Sequence, residues 1–356
     1  MKKDLKIFKN KRVLITGHTG FKGSWLSLWF KNLGADVMGI SKNVPTKPSH
    51  FELINLENKI KNKFVDITNL KELKKIFINF KPDYVFHLAA QSLVKKSYKE
   101  PLLTYNSNTI GTLNIMECLK ELKNNCIAVI ITSDKSYKNL EIKRGYKEDD
   151  VLGGYDPYSS SKASAELIIQ TYYKSYLAKK KNIRIGIARA GNVIGGGDWS
   201  EDRLIPDCIK SWAQNKKVLI RSPNSTRPWQ HVLDALYGYI TLSIYLKKNS
   251  KLNGQAFNFG PSLNSNYKVL DVLKLAKKFW NKVFWKIIKE RKKVYESNLL
   301  KLNSLKAKSI LKWSCSLSFK ETVYFATEWY KHFYNNKKNM YDFSTKQIDL
   351  YSQKIK

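Results

Sequence analysis

Directly behind a short apolar run, Val13 to Ile15, the chain reads Gly17-His18-Thr19-Gly20-Phe21-Lys22-Gly23 and passes into an apolar helical stretch from Trp25 to Leu33. Glycines at that spacing, between a strand and a helix, let the backbone turn tightly and approach a pyrophosphate held on the N–H groups of the helix start. The spacing Gly-x-x-Gly-x-x-Gly departs from the commoner Gly-x-Gly-x-x-Gly, and a glycine triplet alone also reads as a plain turn. The flanking strand and helix favour a dinucleotide loop. Gly17, Thr19, Gly20, Phe21, Lys22 and Gly23 are therefore expected to bind a cofactor.

The rest of the first half supports that frame. Val13 to Thr16, Val37 to Ile40, Tyr84 to Leu88, Ile127 to Thr132 and Ile185 to Ala190 are nearly continuous apolar runs separated by helical patterns. Such runs suit parallel strands covered on both faces. The expected fold class is α/β, a Rossmann-type doubly wound parallel sheet with a smaller C-terminal substrate-binding region. After Ala190 the alternation fails and glycines and prolines gather, so the division is placed at 1–190, a nucleotide-binding domain carrying the catalytic residues, and 191–356, a mainly substrate-binding mixed α/β region. The second region closes on a helical stripe, Val323, Ala326, Trp329, Tyr330 and Phe333.

The formal charge of +35 raises the possibility of a polyanion partner. Only eight of the 64 basic residues are arginine, and the lysines are scattered among asparagines and isoleucines. Nucleic-acid readers favour clustered arginine and stacking aromatics, so no nucleic-acid partner is expected. The densest run, Lys274 to Lys293, carries Leu275, Phe279, Val283 and Ile287 at helical spacing and reads as a solvated helix face. No apolar run is long enough for a secretory h-region or a membrane span; a cytoplasmic protein with no membrane partner is expected. Cys118, Cys126, Cys208 and Cys315 lie far apart with no Cys-x-x-Cys pair, which fits reduced thiols and predicts no metal site.

Two positions bear on the adenosine half of the cofactor. Ordinary NAD sites place a carboxylate at the end of the second strand for the adenosine ribose, where this chain has Ser41 and Lys42. Weaker cofactor retention, or competition from NADP through Lys42, follows. Asp66 is a candidate contact to the adenine amino group, and equally a cap for a helix starting near Thr68.

Asp156-Pro157-Tyr158-Ser159-Ser160-Ser161-Lys162 opens a helix, with Asp156 as N-cap and Pro157 at its first position. Tyr158 and Lys162 then share one face. Lowering a phenol from its reference value of about 10 to near neutrality takes about 4 kcal/mol. One cation about 4 Å away supplies roughly that at an effective dielectric of about 20. A Tyr-x-x-x-Lys spacing occurs by chance on many helices; coupled to a phosphate loop it reads as catalytic.

The glycine loop, Leu88-Ala89-Ala90-Gln91, Asn108-x-x-Gly111-Thr112 and Tyr158-x-x-x-Lys162, in this order, resemble the extended short-chain dehydrogenases/reductases, NAD-dependent epimerases and dehydratases of nucleotide sugars. Thr132-Ser133-Asp134-Lys135, the segment Gly153 to Lys162, the segment Ala188 to Trp199 and Thr226-Arg227-Pro228-Trp229-Gln230-His231-Val232 are most similar to the branch of 4,6-dehydratases that act on CDP-glucose. The likeness runs from about residue 8 to about residue 335. It implies NAD as cofactor, with Ala89 and Ala90 joining Asp66, Tyr158 and Lys162 among its contacts, and CDP-glucose as substrate; spacing alone does not separate CDP from UDP or dTDP. It implies catalysis by Ser133, Asp134, Lys135, Tyr158 and Lys162: Tyr158 takes the C4 hydroxyl proton as hydride leaves C4, Asp134 protonates the departing C6 hydroxyl, Lys135 handles the C5 proton or steadies the enolate, and hydride returns to C6. Gln91, Asn192, Arg203, Arg227 and His231 are the implied substrate contacts, with a buried histidine as the other reading of His231. A homodimer or homotetramer, joined through helices of the sheet domain, is the implied assembly.

Overall fold

The computed structural model describes residues 2–265, 267–288, 301–336 and 339–355. Seven parallel strands form its central sheet: β1 (Arg12–Thr16), β2 (Asp36–Ser41), β3 (Lys61–Phe64), β4 (Tyr84–His87), β5 (Cys126–Ile131), β6 (Ile183–Ala190) and β7 (Ala256–Phe259), in the spatial order β7-β6-β5-β4-β1-β2-β3. Alternate residues feed opposite faces. Val13 and Ile15 of β1 and Val129 and Ile131 of β5 join one apolar core, while Leu14, Ala128 and Ile130 join the other. Burial on both faces is why these strands read as unbroken apolar runs.

On one face lie α1 (Phe21–Asn32), α6 (Val232–Lys248), α8 (Phe319–Asn336) and α9 (Met340–Lys354); on the other lie α2 (Leu70–Phe80), α3 (Gly111–Glu121) and α4 (Pro157–Tyr172). α5 (Leu204–Ala213) and α7 (Val269–Phe279) belong to the second region. The stripe Val323, Ala326, Trp329, Tyr330 and Phe333 on α8 is buried as its spacing predicts. Strand order reverses between β1 and β4, so the loops leaving their carboxyl ends diverge and open a crevice there.

Three elements depart from expectation. β3, Lys-Asn-Lys-Phe, has no apolar pattern because it is an edge strand, where exposed lysines block further pairing. β7 comes from beyond residue 190, so the later chain completes the sheet. The helix expected over Lys274 to Lys293 ends at Phe279: Trp280 and Val283 turn inward and are buried, and Trp285–Ile287 pairs as a strand with Val218–Ile220. Aromatic and β-branched side chains favour that extended pairing, and residues 289–293 lie outside the described residues.

Candidate active site

The glycine loop leaves β1 with Gly17 at φ +76, a left-handed conformation, and a Cβ there would stand 2.7 Å from the Ala89 nitrogen. A Cβ on Gly23 would stand 2.0 Å from the Gly17 carbonyl oxygen. The loop and α1 thus approach as only glycine permits. Thr19 fastens the loop to the end of β2, its hydroxyl donating to the Asn43 carbonyl (2.7 Å) and its N–H to the Ser41 hydroxyl (3.3 Å). Ala89 donates its N–H to the Thr16 hydroxyl (3.2 Å), Ala90 follows it half-buried, and Phe21 lies against Gly195. Gly20 caps α1 in an extended conformation, and no side chain satisfies the first N–H groups of the helix. That uncapped turn beside a cradle without Cβ atoms fits a dinucleotide pyrophosphate.

At the adenosine end, Asp66 accepts from the Thr68 N–H and hydroxyl (2.9 Å each) and pairs with Lys42 at 2.9 Å. It caps a turn, while Asn69 caps α2. Lys42, the residue on which competition from NADP was expected, pairs with Asp66 at the surface, its side chain 66% exposed.

The N-terminus of α4 forms as its sequence predicts. The Asp156 carboxylate accepts from the Ser159 N–H (2.9 Å), Pro157 occupies the first turn, and Tyr158 and Lys162 stand buried on one face. Across from them β5 ends in the turn Asp134–Ser136, where Ser133 donates to Asp134 (3.0 Å) and accepts from the Lys135 N–H (3.2 Å). The Tyr158 phenol lies within the electrostatic reach of Ser133, which lowers it, and of Asp134, which raises it. Gly191 lets the second region press against this turn, since a Cβ there would meet an Asp134 carboxylate oxygen at 3.0 Å.

Burial dominates the electrostatics. It raises the Asp134 carboxyl above the usual range against the pull of Lys135, Ser133 and Lys22, and so favours a protonated acid. It lowers the Lys162 amine to about 8, with Glu166 opposing. The same burial raises the Tyr158 phenol, and the groups that lower it are Ser133 and Arg203. The enclosure that raises the phenol also weakens the Lys162 ammonium expected to stabilise its anion.

Behind the turn lies an ion pair absent from the sequence reading. Glu166, two helical turns after Tyr158, accepts from the Thr132 and Ser136 hydroxyls (2.6 and 3.1 Å) and from the Arg189 guanidinium, which also donates to the Tyr137 hydroxyl (2.6 Å). Both charged side chains are enclosed. Its four-residue spacing from Lys162 was the available signal. Two more residues were missed: Asp198, which pairs with Arg203 at 3.0 Å, and Tyr239 on α6, whose hydroxyl receives the Lys22 ammonium at 3.3 Å.

The substrate-side residues separate. Arg203 is half-exposed, reaches Ser92 across the crevice (3.3 Å) and acts electrostatically on Tyr158 and Lys22. Asn192 is exposed just past the carboxyl end of β6. Arg227 is half-buried on the ladder pairing Thr226–Arg227 with Tyr267–Lys268. Gln91 spends its amide locally, donating to Leu93 and Thr104 (3.0 Å each) and accepting from the Leu93 N–H (2.6 Å). Its side chain braces the loop in this arrangement. His231 is fully enclosed, accepts from the Leu233 N–H (3.2 Å) at the start of α6 and packs edge-on against Phe325. A nucleotide contact by that ring is corrected to a structural cap.

Residues 14–325 match the family model described as GDP-mannose 4,6-dehydratase. The chain belongs to the GDP-mannose 4,6-dehydratase family. The match runs from β1 into α8 and leaves α9 outside. Among curated relatives in this neighbourhood, the CDP-glucose 4,6-dehydratase of Salmonella typhimurium is 41% identical over 334 residues, 92% of each chain, and the CDP-paratose 2-epimerase of Salmonella typhi is 26% identical over 76% of this chain and 85% of its own. Solved structures share the fold: the epimerase Mth375 of Methanothermobacter thermautotrophicus (TM-score 0.80, 22% identity, 94% of this chain and 96% of its own) and the dTDP-glucose 4,6-dehydratase of Bacillus anthracis in complex with NAD (TM-score 0.75, 20% identity, 92% and 98%). The fold of the GDP-mannose 4,6-dehydratase family is thus carried by both sequence and backbone.

Proposed function

We propose that this chain converts CDP-D-glucose to CDP-4-dehydro-6-deoxy-D-glucose, a hydro-lyase reaction of deoxysugar synthesis, with NAD as its resident cofactor. The observation that carries this is the convergence of Tyr158, Ser133 and Asp134 at the carboxyl end of the sheet, beside the glycine loop. The relative described as a CDP-glucose 4,6-dehydratase, at 41% identity, supports the substrate and the reaction; NAD is bound in structures of the same fold.

NAD supplies reversible hydride acceptance, and the residues do the rest. Tyr158 receives the C4 hydroxyl proton, positioned by Ser133, and Lys162 stabilises the resulting phenolate. A C4 ketone acidifies the neighbouring C5–H, so a modest base is sufficient there; Lys135 is assigned that proton. Asp134, held toward its protonated form by burial, donates to the departing C6 hydroxyl. Arg203, Arg227 and Asn192 are assigned to the nucleotide diphosphate, for which a guanidinium fork is suited.

The enzyme is proposed to pair with a second copy of itself, as a homodimer or homotetramer. Tyr98, Leu102 and Ile110 and, on α4, Leu167 leave large apolar side chains exposed on neighbouring helices, a patch that association would cover. Among the described residues no helix is long and apolar enough to cross a membrane, and all four cysteines are free thiols. A reducing compartment, the cytoplasm, suits those thiols.

The test is incubation with CDP-, UDP- and dTDP-glucose while following the alkali-sensitive keto-sugar absorbance. CDP-glucose is expected to yield product with no net NADH, and Tyr158→Phe to abolish turnover with the fold intact. Preference for another nucleotide would move the base assignment, and full activity in the phenylalanine variant would overturn the mechanism.

A further inference from the structure

Lys22 is placed against its local electrostatics. It lies in the first turn of α1, where the helix presents its positive end and the turn itself carries no acidic residue. Arg203 and Lys162 repel it, while Asp134 and Asp198 attract it. These groups come from the segment before α5, from α4 and from the turn after β5. From α6, buried Tyr239 accepts its ammonium at 3.3 Å, and Tyr239 itself lies within the electrostatic reach of Tyr158 and Asp134. A part-buried lysine among two other cations is costly unless it serves the crevice.

We propose that the Lys22 ammonium borders the nicotinamide and makes the bound cofactor a stronger oxidant. The inference rests on the NAD reading above. A pyrophosphate on the Gly20–Gly23 turn and a sugar carbon held by Tyr158 bracket the ring between them, because hydride transfer needs reacting atoms about 3–3.5 Å apart. Lys22 starts from the first of those points, and its charge is coupled to groups at the second. Oxidised nicotinamide carries one positive charge and the reduced form none, so a neighbouring cation disfavours the oxidised form. In the first half-cycle the sugar alcohol gives up two electrons and a proton at C4, as hydride to the cofactor, while the hydroxyl proton passes to Tyr158; the Lys22 charge favours this direction. The returning hydride meets a conjugated enone, a better acceptor than a ketone, so the cycle tolerates the bias. Tyr239 acts as a positioning residue by holding the amine.

The experiment equilibrates the full chain with defined NAD⁺/NADH mixtures, removes free cofactor by rapid gel filtration and reads the bound ratio from its absorbance. At neutral pH, Lys22→Met is expected to shift binding toward NAD⁺ by at least about tenfold, the scale of one charge about 6 Å away at an effective dielectric of about 40. Tenfold corresponds to about 30 mV for a two-electron couple. Burial holds the Lys22 amine down to about 8, so the wild-type ratio should approach the Met variant's as pH rises to about 9, whereas Lys22→Arg, whose guanidinium stays charged throughout that range, should keep the neutral-pH ratio. An unchanged ratio in Lys22→Met overturns the proposal, as does an equal loss of both affinities, the mark of a phosphate clamp. Binding of neither cofactor by the wild-type chain would instead remove the NAD reading, and this inference with it.

Discussion

Replacing Glu166 by Gln removes one charge of a pair whose members are 0% and 1% exposed. One carboxylate oxygen accepts from Thr132 (2.6 Å), Ser136 (3.1 Å) and the Arg189 Nε (2.8 Å), and the other takes the Arg189 fork. A glutamine keeps the first oxygen as an acceptor and turns an NH₂ toward the guanidinium, so donors face donors and Arg189 is left charged in the interior. Breaking one side of a buried pair costs about 3–5 kcal/mol. At roughly 2 °C per kcal/mol for a chain this large, the melting temperature should fall by about 6–10 °C. The Glu166→Leu/Arg189→Met double variant should lose less than the summed single losses, because no buried charge is left unpaired, although Tyr137 and the Glu148 carbonyl still lose the arginine they accept from. Reversible denaturant unfolding of the wild type, Glu166→Leu, Arg189→Met and the double variant measures the cycle. Additivity within about 0.5 kcal/mol would refute the account of the pair as a coupled unit.

Lys135→Ala should block water elimination while oxidation at C4 persists, visible as reduced cofactor accumulating at 340 nm on adding CDP-glucose; loss of both steps together would contradict the division of labour. Gly23→Ala places a Cβ 2.0 Å from the Gly17 carbonyl, and equilibrium dialysis should find cofactor binding lost in a protein of native circular dichroism. Asp234, enclosed with one oxygen unpartnered, has its carboxyl raised to about 7 by burial. Its folded value lies above its unfolded value, so the native state binds the extra proton and stability declines as pH rises from about 4 to about 7, by about 4 kcal/mol for this group. Asp234→Asn keeps the acceptor for Tyr351 and the Ser316 N–H, and should flatten that slope in unfolding measured from pH 4 to 8.

What sequence could show depended on the range of each contact. Gly17 to Gly23 and Asp156 to Lys162 were legible because their geometry is local: a left-handed glycine, a capped helix and a one-turn spacing are all written within seven residues. Asp134 joined them through resemblance. Tyr239 was hidden because it meets Lys22 across 217 positions on a helix whose interior is uniformly buried, so nothing in its neighbourhood marks it out. His231 shows the opposite failure: its residue type suggested a ligand contact, while burial gave it to the start of α6. Burial also changed the chemistry expected of Tyr158 and Lys162, since spacing reports which groups meet and not how much water they lose.

The seventh strand has a consequence for synthesis. While the ribosome has released no more than the first 190 residues, the eight-residue strand Ile183–Ala190 has one flank of backbone donors and acceptors with nothing to bond. That flank is apolar and long, the kind of edge that recruits other chains. Protection arrives only when Ala256–Phe259 emerges and docks. A fragment cut at the apparent seam should therefore clump, and the nascent protein needs shelter for the interval in which some seventy further residues are made.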